Sequence, residues 1–248
     1  MVAAAAGELV LLSILGTRGN VESAARRYSR HSGILVDGLI LLDAGEKEYL
    51  KLHPKYVFIT HLHPDHAALE ARDVHKGIEI YAPESSPHLP IFRIISQRVR
   101  VGAYTVTPIP TVHSQRVQSV GYLVENNGVR FLYTSDLVKI KPRFHRLLSG
   151  LDLVVTEGSF IRSKGLIRKD RKSGLPIGHN GIPDLVRFFS RYTNRIVITH
   201  FGTWFFKDIA QSRQKIESLG NSVQVIAAYD GMRMTARSAG IAGQPLIG

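Results

Sequence analysis

The sequence predicts one α/β domain built on short, buried strands. Three observations lead there. The 248 residues are 44% hydrophobic, which suits one sizeable core better than two small ones. Short apolar runs alternate with polar turns along most of the chain. Only a few stretches carry apolar residues at helical spacing, so helices are the minor component.

The opening run, from Met1 through Ala3-Ala4-Ala5-Ala6 to Glu8, lacks the basic segment of a signal peptide. It reads as a lead-in to a first strand at Leu9-Val10-Leu11-Leu12. Ile34-Leu35-Val36 and Leu39-Ile40-Leu41-Leu42 flank Asp37-Gly38, a type I′ hairpin signal. Residues 56–60 form a buried strand, and residues 67–74 have helical spacing. A second hairpin turns at Asn126-Asn127-Gly128, between 122–124 and 129–133. Two more buried strands fall at 151–155 and 195–199. Helices are expected at 183–192, where Pro183 suits a first helical position, and at 207–219. Between them, residues 159–181 are rich in Gly, Ser, Lys and Arg and read as a long basic loop. The domain is expected to span 1–236, with 237–248 a loosely held tail.

Composition narrows the class. No apolar run is long enough to span a bilayer, so no membrane partner is expected. The absence of cysteine excludes disulfides and thiolate ligands and fits a cytoplasmic protein. A net charge of +12 makes nucleic acid or a nucleotide the leading partner class. Self-association into a homodimer is compatible with this reading.

The chemistry concentrates in Thr60-His61-Leu62-His63-Pro64-Asp65-His66, where four candidate ligands directly follow a buried strand. A metal needs several imidazoles or carboxylates converging within bonding distance. Residues separated by one position point the same way, so His61 and His63 can chelate one ion, while Asp65 and His66 reach a second. His113, Asp136 and His200 each end a further apolar strand. These seven exceed what one tetrahedral ion requires, so two divalent ions are expected, with Asp136 between them. Zinc suits the donor set best, and manganese or iron would also fit.

The set resembles the metallo-β-lactamase superfamily. His-x-His-x-Asp-His at 61–66 is followed by His113, Asp136 and His200 in the same order, and Asp43-Ala44-Gly45-Glu46 resembles the family's first motif. The resemblance implies a four-layer αββα sandwich with the metals at one edge. It assigns His61, His63 and His113 to one ion, Asp65, His66 and His200 to the other, and Asp136 to both. Asp43 would support the ligand loop from behind.

Within that superfamily, Leu15-Gly16-Thr17-Arg18-Gly19-Asn20 and Arg30-His31-Ser32 resemble the opening of the transfer-RNA 3′-processing endonucleases, the RNase Z branch. Thr156-Glu157-Gly158-Ser159 resembles their His-Glu-Ala-Thr segment, with Thr156 in place of its His, and Gly178-His179-Asn180-Gly181 resembles their His-Ser-Thr segment. The resemblance implies a proton relay of Glu157 and His179. With the ligand Asp65, these are the candidate catalytic groups. The transfer-RNA-gripping arm of that branch is absent, since only 22 residues separate His113 from Asp136. This spacing is closer to small phosphodiesterases of the branch.

Arg168, Lys169, Arg171 and Lys172 lie between the two relay residues and are candidate phosphate contacts. Trp204 follows His200 closely and is a candidate base-stacking surface. The expected activity is a phosphodiesterase or nuclease. A lactonase or thioester hydrolase using the same metals stays open.

Overall fold

The computed structural model describes residues 9–86 and 92–238. In chain order the elements are β1 (Leu9–Gly16), β2 (Gly33–Val36), β3 (Ile40–Leu42), β4 (Tyr56–Phe58), β5 (Glu79–Ala82), β6 (Arg93–Ile94), β7 (Val99–Val101), β8 (Tyr104–Val112), β9 (Val120–Asn126), β10 (Val129–Tyr133), β11 (Lys139–Ile140) and β12 (Leu153–Gly158). They continue with β13 (Leu166–Lys169), β14 (Pro176–His179), α1 (Ile182–Phe189), β15 (Arg195–Phe201), α2 (Ile209–Glu217), β16 (Gln224–Ala227) and β17 (Met232–Arg237).

Two mixed sheets pack face to face. The first runs β17-β1-β2-β3-β4-β5-β6, and the second runs β11-β8-β9-β10-β12-β15-β16 with β7 on β8. Alternation along each strand explains the layers, because successive side chains point to opposite faces. On β12, Leu153 and Val155 enter the core between the sheets while Val154 packs outward. On β4, Tyr56 and Phe58 enter that same core while Val57 faces out. Strands buried on both faces read as continuous apolar runs, as these do.

The outer layers differ. Over the second sheet, α1 buries Ile182, Leu185, Val186 and Phe189, one face of a helix. Asp208 caps α2 by accepting the Gln211 backbone N–H. Over the first sheet the cover is made of 3-10 turns, chiefly Lys47–Leu52 with Tyr49 and Leu50 buried. Residues 67–74, expected as a helix, contain only a single 3-10 turn, Ala71–Asp73. The reason lies in hydrogen bonding: Ala44 N–H donates to His66 O, and Ala68 N–H donates to Ala44 O. The backbone of 66–68 is thereby committed to residue 44 and cannot start a helix.

Both hairpins turn as their sequences require. Asp37 and Gly38 have φ of 47° and 69°, and Asn127 and Gly128 have 47° and 81°, the pattern of type I′ turns. Residues 159–181 are more ordered than a loop, since β13 and β14 pair antiparallel from Leu166↔His179 to Lys169↔Pro176. The expected tail, apart from 237–238, lies outside the described residues, as does the lead-in 1–8. No helix among the described residues is long and apolar enough to cross a membrane.

The topology places the site. β3 and β4 pair in parallel, as do β10, β12 and β15. β8 and β10 are both antiparallel to β9 and so run the same way. The carboxyl ends of β3, β4, β8, β10, β12 and β15 therefore share one edge of the sandwich. Thr60 Oγ1 bridges the sheets there, 2.8 Å from Ser135 Oγ.

Candidate metal centre

Each strand end contributes a side chain to one buried cluster. The loop after β4 supplies His61, His63, Asp65 and His66; the end of β8 leads to His113, the end of β10 to Asp136, and β15 carries His200. His200, Asp43 and Ser135 have positive φ of 54°, 60° and 54°, a conformation non-glycine residues adopt at a cost, which turns the chain sharply here. All seven ligand candidates are buried except His63, which is half-buried.

Their donor atoms fall into two main groups, His61, His63, His113 and Asp136, and then Asp65, His66 and His200; a third, overlapping group joins Asp136 and His200 with Glu157. His61 Nε2 is 3.0 Å from His63 Nδ1, and His113 Nε2 is 3.4 Å from the same atom. Asp136 Oδ2 lies 3.8 Å from His61 Nε2 and 3.7 Å from His113 Nε2. In the second group His66 Nε2 is 3.1 Å from His200 Nε2, which is 3.0 Å from Asp65 Oδ2. Asp136 Oδ1 reaches toward this group, 3.5 Å from His66 Nε2.

These spacings suit cations. A tetrahedral ion with bonds of about 2.0–2.1 Å holds its ligand atoms about 3.3 Å apart. Facing imidazole nitrogens at 3.0 Å need a proton or a cation between their lone pairs. Asp136 Oδ1 is moreover buried with no hydrogen-bond partner among the described residues, an expensive state for a carboxylate oxygen. An ion between the two groups would satisfy it.

Second contacts orient the ligands. Asp43 is fully buried and its Oδ2 accepts from Tyr133 OH at 2.7 Å and Thr60 Oγ1 at 2.9 Å, while its Oδ1 accepts the Thr60 N–H. Its Oδ2 also lies 2.8 Å from His66 Nδ1, which leaves Nε2 to face the cluster. Gly178 O is 2.9 Å from His113 Nδ1 and does the same for His113. Ser159 Oγ sits 3.1 Å from His200 Nδ1.

Electrostatics separates the histidines. Burial pushes His61 well below its usual range, and the neighbouring His66 adds to the effect. Burial likewise lowers His63. At His66 burial opposes the charge, but Asp136, Asp43 and Asp65 outweigh it and hold the ring well above its usual value. For Asp136 burial is outweighed by His200, His66 and His179, so the carboxyl stays well below the carboxylate range.

Glu157 and His179 meet beside this cluster. Glu157, at the buried end of β12, accepts the Leu137 N–H at 2.8 Å through Oε1, and its Oε2 is 2.7 Å from His179 Nδ1. Burial works against a charged His179, but Glu157 and then Asp136 raise it to about 9. His179 lies 3.9 Å from Asp136 Oδ2 and lines a cavity of about 420 Å³ with His63, Asp65, Asp136 and His200. Thr156, where the resemblance led to a His, is buried and accepts from Thr134 Oγ1.

The family profile described as a beta-lactamase superfamily domain matches residues 40–201, which include all seven ligand candidates, Asp43, Glu157 and His179. The chain belongs to the metallo-β-lactamase superfamily. No curated protein matches its sequence significantly. Solved structures with the same metallo-β-lactamase fold include YhfI from Bacillus subtilis, at 17% identity and TM-score 0.65 over 92% of this chain and 100% of the other. A diphosphatase of the PhnP family aligns at 13% identity and TM-score 0.64, covering 91% and 97%. The short form of human tRNase Z aligns at 18% and 0.63, covering 91% and 99%. In all three the likeness is one of fold.

The other candidates scatter more. Trp204 lines the cavity and donates its indole N–H to Gly158 O at 2.9 Å. Arg168 points toward the metal edge, on the face of the β13–β14 hairpin that also carries Leu166, Ile177 and His179. Lys169 lies on the opposite face, and Arg171 and Lys172 sit exposed at the turn. Asn20 and Ser159, which the sequence placed in family-like segments without a role of their own, border the site, as do Phe160 and Arg116. Arg116 stands three residues after His113, and that proximity was a usable signal.

Proposed function

We propose that this metal-dependent hydrolase is a binuclear phosphodiesterase acting on nucleic acid or a nucleotide-type phosphodiester. His61, His63 and His113 would hold one ion and Asp65, His66 and His200 the other, with one Asp136 oxygen turned toward each. Zinc fits this imidazole and carboxylate set best. When bound, the ions supply Lewis acidity toward a phosphoryl oxygen and lower the pKa of water.

The observation that carries the reading is the Glu157–His179 pair. A phosphodiester of a sugar expels an alkoxide, a poor leaving group that needs a proton. Glu157 holds a proton on His179 Nδ1, 2.7 Å away, and His179 is raised to about 9, so the ring is protonated near neutrality. Nε2 is then the nitrogen that delivers a proton to the leaving oxygen. Trp204 and Phe160 border the same cavity and offer flat surfaces for a base.

The test is the metal-loaded protein on bis(p-nitrophenyl) phosphate, a lactone and a thioester side by side. Metal-dependent cleavage should be fastest on the phosphodiester. Preferential turnover of the lactone or thioester would sink the reading.

A further inference from the structure

The metal edge opens into two lobes, and only one is accounted for by the relay. The first holds His179 and Trp204. The second, of about 340 Å³, is bordered by His63, His113, Arg116 and Arg168. The lobes share His63 and Leu166, so they meet at the ligand cluster with the β13–β14 hairpin as their common wall.

The second lobe is cationic by construction. Leu166 pairs with His179 and Arg168 with Ile177, so Arg168 stands one pleat repeat, about 7 Å, along the strand from the residue opposite the proton donor. Arg116 reaches the lobe from the segment after His113, and its backbone N–H is fixed on Ser114 Oγ at 3.1 Å. Neither arginine forms an ion pair among the described residues. Asp170 also borders the lobe; its Oδ1 accepts from the Ser173 N–H, the Ser173 hydroxyl and the Lys172 N–H of its own turn, so one carboxylate charge stands against the two arginines there. Two arginines with no ion pair among the described residues, lining one lobe beside the ligand cluster, suit an anion with several oxygens.

Resting on the phosphodiesterase reading, we infer that Arg116 and Arg168 bind a second phosphate of the substrate, on the side of the scissile phosphorus away from the leaving group. The leaving group departs in the His179 lobe. The nucleoside that keeps the cleaved phosphate extends into the arginine lobe, where its other phosphate is gripped. The preferred substrate therefore carries a phosphate on both hydroxyls of the retained nucleoside, as an oligonucleotide or a bisphosphate ester does.

The probes are thymidine 5′-(p-nitrophenyl phosphate) with and without a 3′-phosphate, tested on the zinc-loaded protein and on R116Q/R168Q. The 3′-phosphate should raise kcat/KM about tenfold or more in the parent, and this ratio should fall to about one in the double variant. Calorimetry should show the same contrast between thymidine 3′,5′-bisphosphate and thymidine 5′-monophosphate. A parent ratio near one, or a ratio that survives the double substitution, overturns the inference while leaving the phosphodiesterase reading intact. If no phosphodiester is cleaved at all, that reading falls, and binding alone decides the subsite. A bisphosphate preference abolished by R116Q/R168Q upholds it, and no preference rejects it.

Discussion

Asp136 and the Glu157–His179 pair sit within 4 Å of one another, and the proposed function gives them different roles. Asp136 faces both ligand groups, so Asp136→Ala should strip both ions. Elemental analysis after loading should find well under one equivalent per chain, and a variant that still holds two would refute the bridging role. Glu157→Gln and His179→Ala should keep full metal content and slow cleavage of an alkoxide-expelling diester on the order of a hundredfold. The loss should shrink with p-nitrophenolate as leaving group. The sign of the pH effect follows from the raised His179 value of about 9. Glu157 holds the ring in its charged form, so turnover on a poor leaving group should fall as pH rises through the raised His179 value, and His179→Ala should flatten that limb. The same shift adds folded-state stability that is fully present below about 6.5 and lost as pH climbs through the folded value.

The β13–β14 hairpin is the element that aims the chemistry. Gly178 donates its N–H to His113 O, and its carbonyl lies 2.9 Å from His113 Nδ1, so the hairpin is pinned to a ligand candidate. Its φ is +114°, and a Cβ there would lie 2.1 Å from Leu166 O. Gly178→Ala should therefore displace His179 and cost about 1–3 kcal/mol of local strain. We expect a lower melting temperature and a larger drop in kcat than in KM, checked by calorimetry and kinetics on one preparation. The four cations of the hairpin and its turn, taken together, make a separate prediction. Replacing Arg168, Lys169, Arg171 and Lys172 together by glutamine should weaken oligonucleotide binding and flatten its dependence on salt. An unchanged salt slope would mean that these cations are only solvated.

Across the whole molecule, the metal edge is where the two sheets are tied together. Thr60 on one side and Ser135 on the other are bonded through buried hydroxyls, and His66, from the first sheet's loop, approaches both Asp136 and His200 from the second. Removing the ions should leave four acidic groups, Asp43, Asp65, Asp136 and Glu157, buried among histidines without their compensating charge. Binding to the folded state alone stabilises it by about 4 kcal/mol at a thousandfold excess over Kd. For a chain of this size that is a rise of roughly 8–16 °C in melting temperature on metal loading, reversed by a chelator. A melting temperature indifferent to metal would show that the cluster does not hold ions tightly.

Much of this molecule was legible in one dimension. His61, His63, Asp65 and His66 lie within one turn of chain after an apolar strand, so local spacing alone announces a metal loop. Asp37-Gly38 and Asn127-Gly128 announce their turns because few residues accept positive φ. Other features depended on contacts between segments far apart in sequence. Residues 67–74 had helical spacing, but Ala44 took up the His66 carbonyl and the Ala68 N–H where a helix would have begun. Residues 159–181 read as a loop, since an exposed hairpin of basic residues buries too little apolar surface to leave a periodic signal. The four cations of that segment looked equivalent in sequence, and only the pairing of Arg168 with Ile177 put one of them on the metal side and Lys169 on the other. Arg116 was invisible as a partner of Arg168 for the same reason. Ligand identity is set by residue type and local spacing, whereas the shape of the lobes around the ligands is set by long-range strand register, which only the folded chain defines.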